Sequence, residues 1–263
     1  MNNNWKIFFP CINEKPLIEA KIQWGLRLGF EISVAEGYHP SYKKFNPETH
    51  LSIDGTTEIL KSYSDQITYI PIGEVPHEAF LRDTAYANLS KSAGICIMSD
   101  ADEFFLEEDL EQIDAMFSAN KNLKLVLTNS HIFLDNEFCA PHVQRKDGNP
   151  IEFNKGLQIW HGQFHERIFR YDKFYSYKIT PFLVNDLYGR CPFNHPIYYG
   201  ERELRDDIYL LHYKQFKLAE AKERQKIYHE QDNKDYDKEW RELKKNKIRY
   251  EGKHPIEIER LMK

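Results

Sequence analysis

Cysteine is scarce. Cys11, Cys96, Cys139 and Cys191 are the only four in 263 residues, and no two of them stand in C-x-x-C spacing, so neither a zinc ribbon nor a disulfide framework is suggested. Long hydrophobic runs are missing too. No stretch approaches the roughly 18–20 apolar residues that a membrane-spanning helix needs. Met1-Asn2-Asn3-Asn4 leads straight into a strand-like segment without a basic leader region. The expectation is a soluble, cytoplasmic protein without integral membrane contact. Positive charge is not in excess either: the formal net charge is -5, which gives no global pull towards nucleic acid or an anionic membrane. Between Pro10 and Pro16 there is no glycine-rich, basic loop to grip a nucleoside triphosphate. Internal repeats and low-complexity linkers are absent as well.

What is present is material for a core. Hydrophobic residues make up 41% and aromatics 14% of the chain, which argues against disorder. A length of 263 residues suits one large domain, or one domain with an appendage, able to bury roughly 75% of its unfolded surface. Trp5 to Pro10 reads as a first strand, and Pro16 to Leu28 has a helical spacing of apolar residues closed by Gly29. Phe30 to Ala35 alternates like a strand and ends at Glu36-Gly37. A strand, helix, strand unit of this kind is right-handed, with parallel strands. From Tyr38 to Leu51 runs a polar, aromatic loop of a length usually kept for function. A helix over Glu58 to Tyr63, a strand over Gln66 to Ile72 and a helix over Glu78 to Ser92 follow.

The chain then reaches Ile95-Cys96-Ile97-Met98-Ser99-Asp100-Ala101-Asp102-Glu103. A short apolar run that reads as a buried strand ends in three carboxylates, ahead of an acidic helical segment from Leu106 to Phe117. Acids just beyond a buried strand are positioned by the rigid part of an α/β fold, where ligands collect. Asp100 and Asp102 are two apart, so in extended backbone both face one hard cation or its water shell. The plainer alternative is a strand-to-helix turn in which Ser99 or Asp100 caps the helix and Glu103 sits in its first turn. Leu123 to Asn129 supplies a further strand, giving the alternating rhythm of a doubly wound sheet.

Taken in order, Pro10-Cys11-Ile12-Asn13-Glu14, Glu36-Gly37, Asp54-Gly55-Thr56-Thr57, Leu81-Arg82-Asp83-Thr84-Ala85 and Met98-Ser99-Asp100-Ala101-Asp102-Glu103-Phe104 resemble the GT-A fold glycosyltransferases of the family-2-like group over about the first 130 residues. The resemblance implies that Asp100 and Asp102 form a D-x-D motif holding Mn2+ or Mg2+ on the diphosphate of a nucleotide-sugar donor. It implies that Glu36 contacts the nucleoside, and that Pro10, Asn13, Glu14 and Arg82 line the donor site. Asp102 is the preferred metal ligand, with Asp100 turned towards the ribose or a metal-bound water. The sequence departs from the family pattern in having Glu rather than Asp at position 36, and in the long insertion between Glu36 and Asp54.

The second half supplies the acceptor side. His131 to Cys139 and Leu157 to Tyr177 are aromatic and strand-like, an expected antiparallel extension. His161, His165 and Glu166 lack the H-E-x-x-H order of a zinc protease, and Gly162 with period-2 alternation argues against helix. Glu166, Asp186, Asp206 and Asp207 are candidates for the base that deprotonates an acceptor hydroxyl; for Glu166 an ion pair with Arg167 or Arg170 is the alternative. Leu210-Leu211-His212-Tyr213-Lys214 resembles the late histidine of many GT-A enzymes that completes the cation's coordination, and a neutral imidazole suits a manganese-like ion. From Lys214 onwards the composition is that of charged helices with interleaved signs, packed on the domain or meeting a partner, until Gly252-Lys253-His254-Pro255 starts a short tail.

The fold expected is therefore α/β: a GT-A-like, doubly wound, mostly parallel sheet over residues 1–213, with an antiparallel aromatic-rich extension, and a charged helical segment over 214–263. The function expected is metal-dependent transfer of a sugar, with inversion, from a nucleotide-diphosphate sugar to an acceptor hydroxyl on a glycan, a protein, a lipid-linked saccharide or a modified nucleic-acid base. The membrane-embedded synthase subgroup is disfavoured by the lack of a Q-x-x-R-W string and of a spanning segment. A nucleotidyltransferase and a non-catalytic nucleotide-sugar-binding module are the alternatives.

Overall fold

The computed structural model describes residues 1, 3–38, 42, 44–76, 79–133, 135–136, 138–141, 151–153, 157–159, 165–171, 201–213, 216, 241, 244–245 and 247–263. Strand β1 (Trp5–Cys11), helix α1 (Leu17–Arg27), strand β2 (Glu31–Tyr38), helix α2 (Thr56–Ser62), strand β3 (Thr68–Glu74), helix α3 (Ala79–Ala87) and strand β4 (Ile95–Met98) realise the expected alternation. The four strands are parallel in the order β3-β2-β1-β4. The chain winds outward from β1 to β3 and then returns to the other side of β1. That reversal puts a crevice at the carboxyl ends of β1 and β4, the usual ligand position in such a sheet.

Alternation along the strands sorts the core into two layers. Ile7, Phe9, Ile32, Val34, Ile95 and Ile97 join the cluster formed with Leu17, Ile18, Ile22 and Trp24 of α1. Phe8, Ala35, Cys96 and Met98 join Leu81, Ala85 and Tyr86 of α3 on the opposite face. Where β2 meets β3 the register shifts after Glu36, and Gly37 has no room for a side chain: a Cβ there would lie 2.3 Å from the Gly73 carbonyl oxygen. Strand β3 runs two residues later than the sequence pattern suggests.

After β4 come a two-residue strand, β5 (Glu103–Phe104), and helix α4 (Glu107–Ala119). Leu110, Ile113 and Phe117 form the buried stripe of α4, a spacing of three and four residues. The helix therefore starts seven residues after Asp100. Its N-cap is Leu106, without a side-chain cap, so neither Ser99 nor Asp100 caps it, and Glu103 lies in a strand and not in its first turn. Strand β6 (Leu123–Phe133) is longer than expected and absorbs His131 and Phe133. Strands β7 (Phe138–Pro141), β8 (Ile151–Phe153), β9 (Leu157–Ile159), β10 (His165–Arg170), β11 (Glu201–His212) and β12 (Ile248–Arg249) complete the described strands.

The extension is not simply added at the edge. Strand β10 is inserted between β4 and β6 and is antiparallel to both. Strand β11 runs parallel to β6, and its last two residues also pair with β5. β7 flanks β6, β12 flanks β7, and β8 with β9 forms a separate two-stranded ladder. The fold class is α/β, as expected, with a wholly parallel half and a mixed half.

Where a short tail was expected, helix α5 (Ile256–Met262) packs on α1. Ile258 is fully buried, and Glu257, 3% exposed, accepts a 2.8 Å hydrogen bond from Arg27 Nε. Most of the expected charged helices over 214–247 lie outside the described residues.

One buried cation stands in the core of α1. Lys21 is 1% exposed, shares a face with Ile18, Ile22 and Gly25, and points its Nζ among the rings of Trp24, Phe104 and Phe9. Burial pushes its pKa down to about 7, against the opposing pull of Glu103, Asp102 and Asp100. In the unfolded chain Lys21 keeps its proton up to about 10.4. Between those values the unfolded state binds more protons, so stability rises with pH across the window. Urea titrations between pH 7 and 9 are expected to show wild type gaining stability relative to Lys21→Met, which lacks the titrating amine. Separately, Ile258→Ala is expected to cost about 2–4 kcal/mol in the same assay, through lost burial and the cavity left against α1.

Candidate functional site

The site is built on what β4 does when its apolar residues end. Continuing the alternation of Ile97 and Met98, Ser99 falls to the α1 layer and Asp100 to the α3 layer, and each layer supplies a cation. Lys21 Nζ donates to Ser99 Oγ at 2.8 Å and to the Glu103 carbonyl. Arg82 of α3 donates through Nη1 to the Ser99 carbonyl at 3.1 Å and through Nη2 to Asp100 Oδ1 at 2.5 Å. The loop closes on itself as well: the Glu103 N–H donates to the Asp100 carbonyl at 3.2 Å, and the Asp100 N–H to Glu103 Oε2 at 3.0 Å.

The third cation is Arg167, brought in by β10. Its Nη2 lies 2.7 Å from Glu103 Oε1 and 3.4 Å from Asp100 Oδ2. Glu103 is almost fully buried, whereas the Asp100 side chain keeps 32% of its surface exposed. Burial alone would raise the pKa of Asp100, but Arg82 and Arg167 outweigh it and hold the carboxyl well below the usual range. Asp100 is thus held as an anion, with Arg82 on one oxygen and Arg167 near the other. In the expected role of metal ligand it would share its oxygens with these two guanidinium groups.

Asp102 is turned differently. Its Oδ2 lies 3.1 Å from His212 Nε2, across 110 residues of sequence, and both side chains are partly open, at 15% and 14%. Two pairings bring them together. His212 is in register with Glu103 between β11 and β5, and the next residue, Tyr213, donates its N–H to the Asp102 carbonyl at 2.8 Å. Among the described residues no group of three or more His, Cys, Asp or Glu side chains could hold a metal ion. Imidazole beside carboxylate nevertheless suits a manganese-like divalent ion, and Asp102 and His212 are the described residues that would hold it.

The residues expected to line the donor site at β1 and β2 are occupied with the chain itself. Glu36 is fully buried; its Oε1 accepts from the Ser52 N–H at 2.9 Å and Thr57 Oγ1 at 2.7 Å, and its Oε2 from the Tyr69 hydroxyl. Burial and the neighbouring Glu36 raise the pKa of Tyr69, which keeps it a donor. Asn13, at φ 51°, donates from Nδ2 to Tyr42 OH at 2.9 Å and the Lys44 carbonyl at 2.6 Å, and accepts from the Ile53 N–H at 2.8 Å. Glu14 is 5% exposed and donates its N–H to Thr56 Oγ1 at 2.8 Å. Pro10 is buried within β1 opposite Ala35. Asn13 and Glu36 pin the insertion between β2 and α2 to the sheet.

Among the expected bases, Asp207 is held by Arg205, at 2.8 Å to Nε and 2.7 Å to Nη2, and Arg205 also reaches Gln112 of α4. That pairing lowers the pKa of Asp207 and favours its anion. Glu166 lies in β10 directly before Arg167, with its side chain outside what the structure describes; the same holds for Asp206 in β11. Asp186 lies outside the described residues altogether. Arg167 and Arg170, the expected partners of Glu166, engage other groups: Arg170 donates to the carbonyls of Leu123, Phe117 and Asn120.

Sequence reasoning missed Lys21, Arg167 and the structural duty of Glu103. Lys21 carried a signal, a lysine on the apolar face of an amphipathic helix. Arg167 carried none, because its place depends on β10 being inserted beside β4.

No protein-family model matches the chain, and no curated protein matches it. Similar solved structures include the mannosyltransferase PcManGT from Pyrobaculum calidifontis in complex with GDP-Man and Mn2+, at 16% identity and a TM-score of 0.43, covering 80% of this chain and 57% of that one. They also include glucosyl-3-phosphoglycerate synthase from Mycobacterium tuberculosis in complex with Mn2+, uridine diphosphate and phosphoglyceric acid, at 15% identity and a TM-score of 0.34, covering 48% of this chain and 43% of that one. The alignment thus spans 57% of the mannosyltransferase and less than half of the synthase.

Proposed function

We propose that the chain is a glycosyltransferase that uses a nucleotide-diphosphate sugar and Mn2+ or Mg2+, and that transfers the sugar to an acceptor hydroxyl with inversion. The observation that carries this reading is the meeting of Asp102 and His212 at 3.1 Å, across 110 residues, beside the carboxyl end of β4 and next to an arginine-paired aspartate.

Each residue has a distinct part. Asp102 and His212 would hold the cation, whose positive charge offsets that of the diphosphate as the sugar leaves. Asp100, kept anionic by Arg82 and Arg167, presents its exposed edge to a hydroxyl of the donor, as an acceptor with no competing proton. Arg82 and Arg167 fix that edge in place and add positive charge near the phosphates. Lys21 and Glu103 act beneath the surface, holding the loop so that Asp102 meets His212 without reorganisation. For the base that removes the acceptor proton, Glu166 is the best placed candidate by chain position, adjacent to Arg167, and Asp186, Asp206 and Asp207 are the alternates.

A thermal-shift and calorimetry panel of nucleoside diphosphates and their sugars, with and without Mn2+, tests the reading. Slow hydrolysis of the donor without an acceptor would separate an enzyme from a binding module. Asp102→Asn is expected to abolish Mn2+-dependent nucleotide binding and transfer while circular dichroism stays that of wild type; full turnover by the folded variant would refute the assignment. His212→Ala is expected to weaken Mn2+-dependent nucleotide affinity by at least about tenfold, since even the outer partners of metal ligands are worth that much. Calorimetry showing an unchanged affinity would remove His212 from the site.

A further inference from the structure

We infer that the carboxyl-terminal segment 247–263 is a strap that positions the Asp102–His212 pair, with His254 as the positioning residue. This inference rests on the reading of that pair as the cation-holding element. The link is Tyr213, fully buried and directly after His212. Its N–H donates to the Asp102 carbonyl at 2.8 Å, so the backbone of one residue touches both halves of the pair. Its ring stacks on Phe133, with centroids 4.6 Å apart, and meets Phe104 edge-on at 5.7 Å. Its hydroxyl lies 2.8 Å from His254 Nδ1.

The far end of that contact is anchored well. His254 precedes Pro255, the N-cap of α5. Beyond it, Ile258 is buried in the core and Glu257 is paired with Arg27 of α1. Lys253 reaches Glu108 of α4 at 3.0 Å, and β12 pairs with β7. Tyr250 packs edge-on to Phe133 at 4.9 Å and lies 4.9 Å from the His254 ring. Burial lowers the pKa of His254, which favours the neutral ring, and Nδ1 shares one hydrogen bond with the tyrosine hydroxyl. A tyrosine held at both its amide and its hydroxyl cannot turn its N–H away from Asp102 without breaking the contact to the strap. The strap therefore fixes the spacing of the pair through Tyr213.

The test compares His254→Phe, which keeps a ring against Phe133 and Tyr250 but has no acceptor, with His254→Asn, which restores an acceptor near the Nδ1 position. In the full chain, hydrogen exchange at the Tyr213 amide is expected to quicken about tenfold in His254→Phe, the scale of one hydrogen bond in a local opening equilibrium. It should return close to wild type in His254→Asn, with the amides of β1 unchanged in both. Mn2+-dependent affinity for a nucleoside diphosphate should fall and recover in parallel. The inference is overturned if Tyr213 exchange does not change in His254→Phe, if all amides speed up together, if His254→Asn restores nothing, or if exchange changes while affinity does not. A wild-type chain without any Mn2+-dependent nucleotide affinity would sink the functional reading instead, and exchange alone would then decide the role of the strap.

Discussion

The rest of the structure depends on how the loop from Ser99 to Glu103 is held by charge. Three acids leave a four-residue strand, and three basic side chains converge on their loop from different elements: Lys21 from α1, Arg82 from α3 and Arg167 from β10. A carboxylate as buried as Glu103, at 1% exposure, is tolerable only when paired and hydrogen-bonded. The pairing has a functional consequence. Since Glu103 and Asp100 take up the guanidinium groups, Asp102 is turned towards the imidazole of His212, the contact suited to sharing an ion.

Topology is what makes that convergence possible. The outward winding from β1 to β3 and the return to β4 leave the crevice beside β1, but a parallel sheet alone would place only Arg82 and Lys21 near it. The insertion of β10 between β4 and β6 adds Arg167, and the two-residue β5 lets the end of β11 reach the acidic loop. In strand β5 Glu103 and Phe104 face opposite ways. Glu103 turns to Arg167, while Phe104 packs on Trp24 and Tyr213 in the α1 layer. A one-residue slip would exchange those sides, burying the charge in the aromatic layer.

Much of this was legible in the sequence because it is local. The alternation of β1 and β2, the helical spacing of α1, and the abrupt end of an apolar run at Asp100 are properties of neighbouring residues. The pairing of Asp102 with His212 was legible through resemblance to a family, not through spacing. What could not be read depends on contacts between distant segments. The insertion of β10 leaves no trace in period or composition, so Arg167 looked like the partner of its neighbour Glu166. Helix α5 has seven residues, too few for a periodic signal, and is held by Ile258 in the core, by Leu261 and Met262 packed against it, and by an ion pair to Arg27. The reach of β11 to β5 moved Glu103 from a helix turn to a strand for the same reason.

Glu36 shows how a residue can sit in the expected place and serve another end. It lies at the carboxyl end of β2, where an acid can face a ligand, yet three donors from the insertion, α2 and β3 close over its two oxygens. Freeing one of those oxygens for another partner would cost on the order of 1–3 kcal/mol for each hydrogen bond to a charged group. At the neighbouring strand end the polar edges stay more open: a third of the Asp100 side chain is exposed while two arginines hold its charge, and Asp102 and His212 are partly open as well. The acid of β2 thus ties the insertion to the sheet, whereas the acids after β4 keep part of their surface free of it.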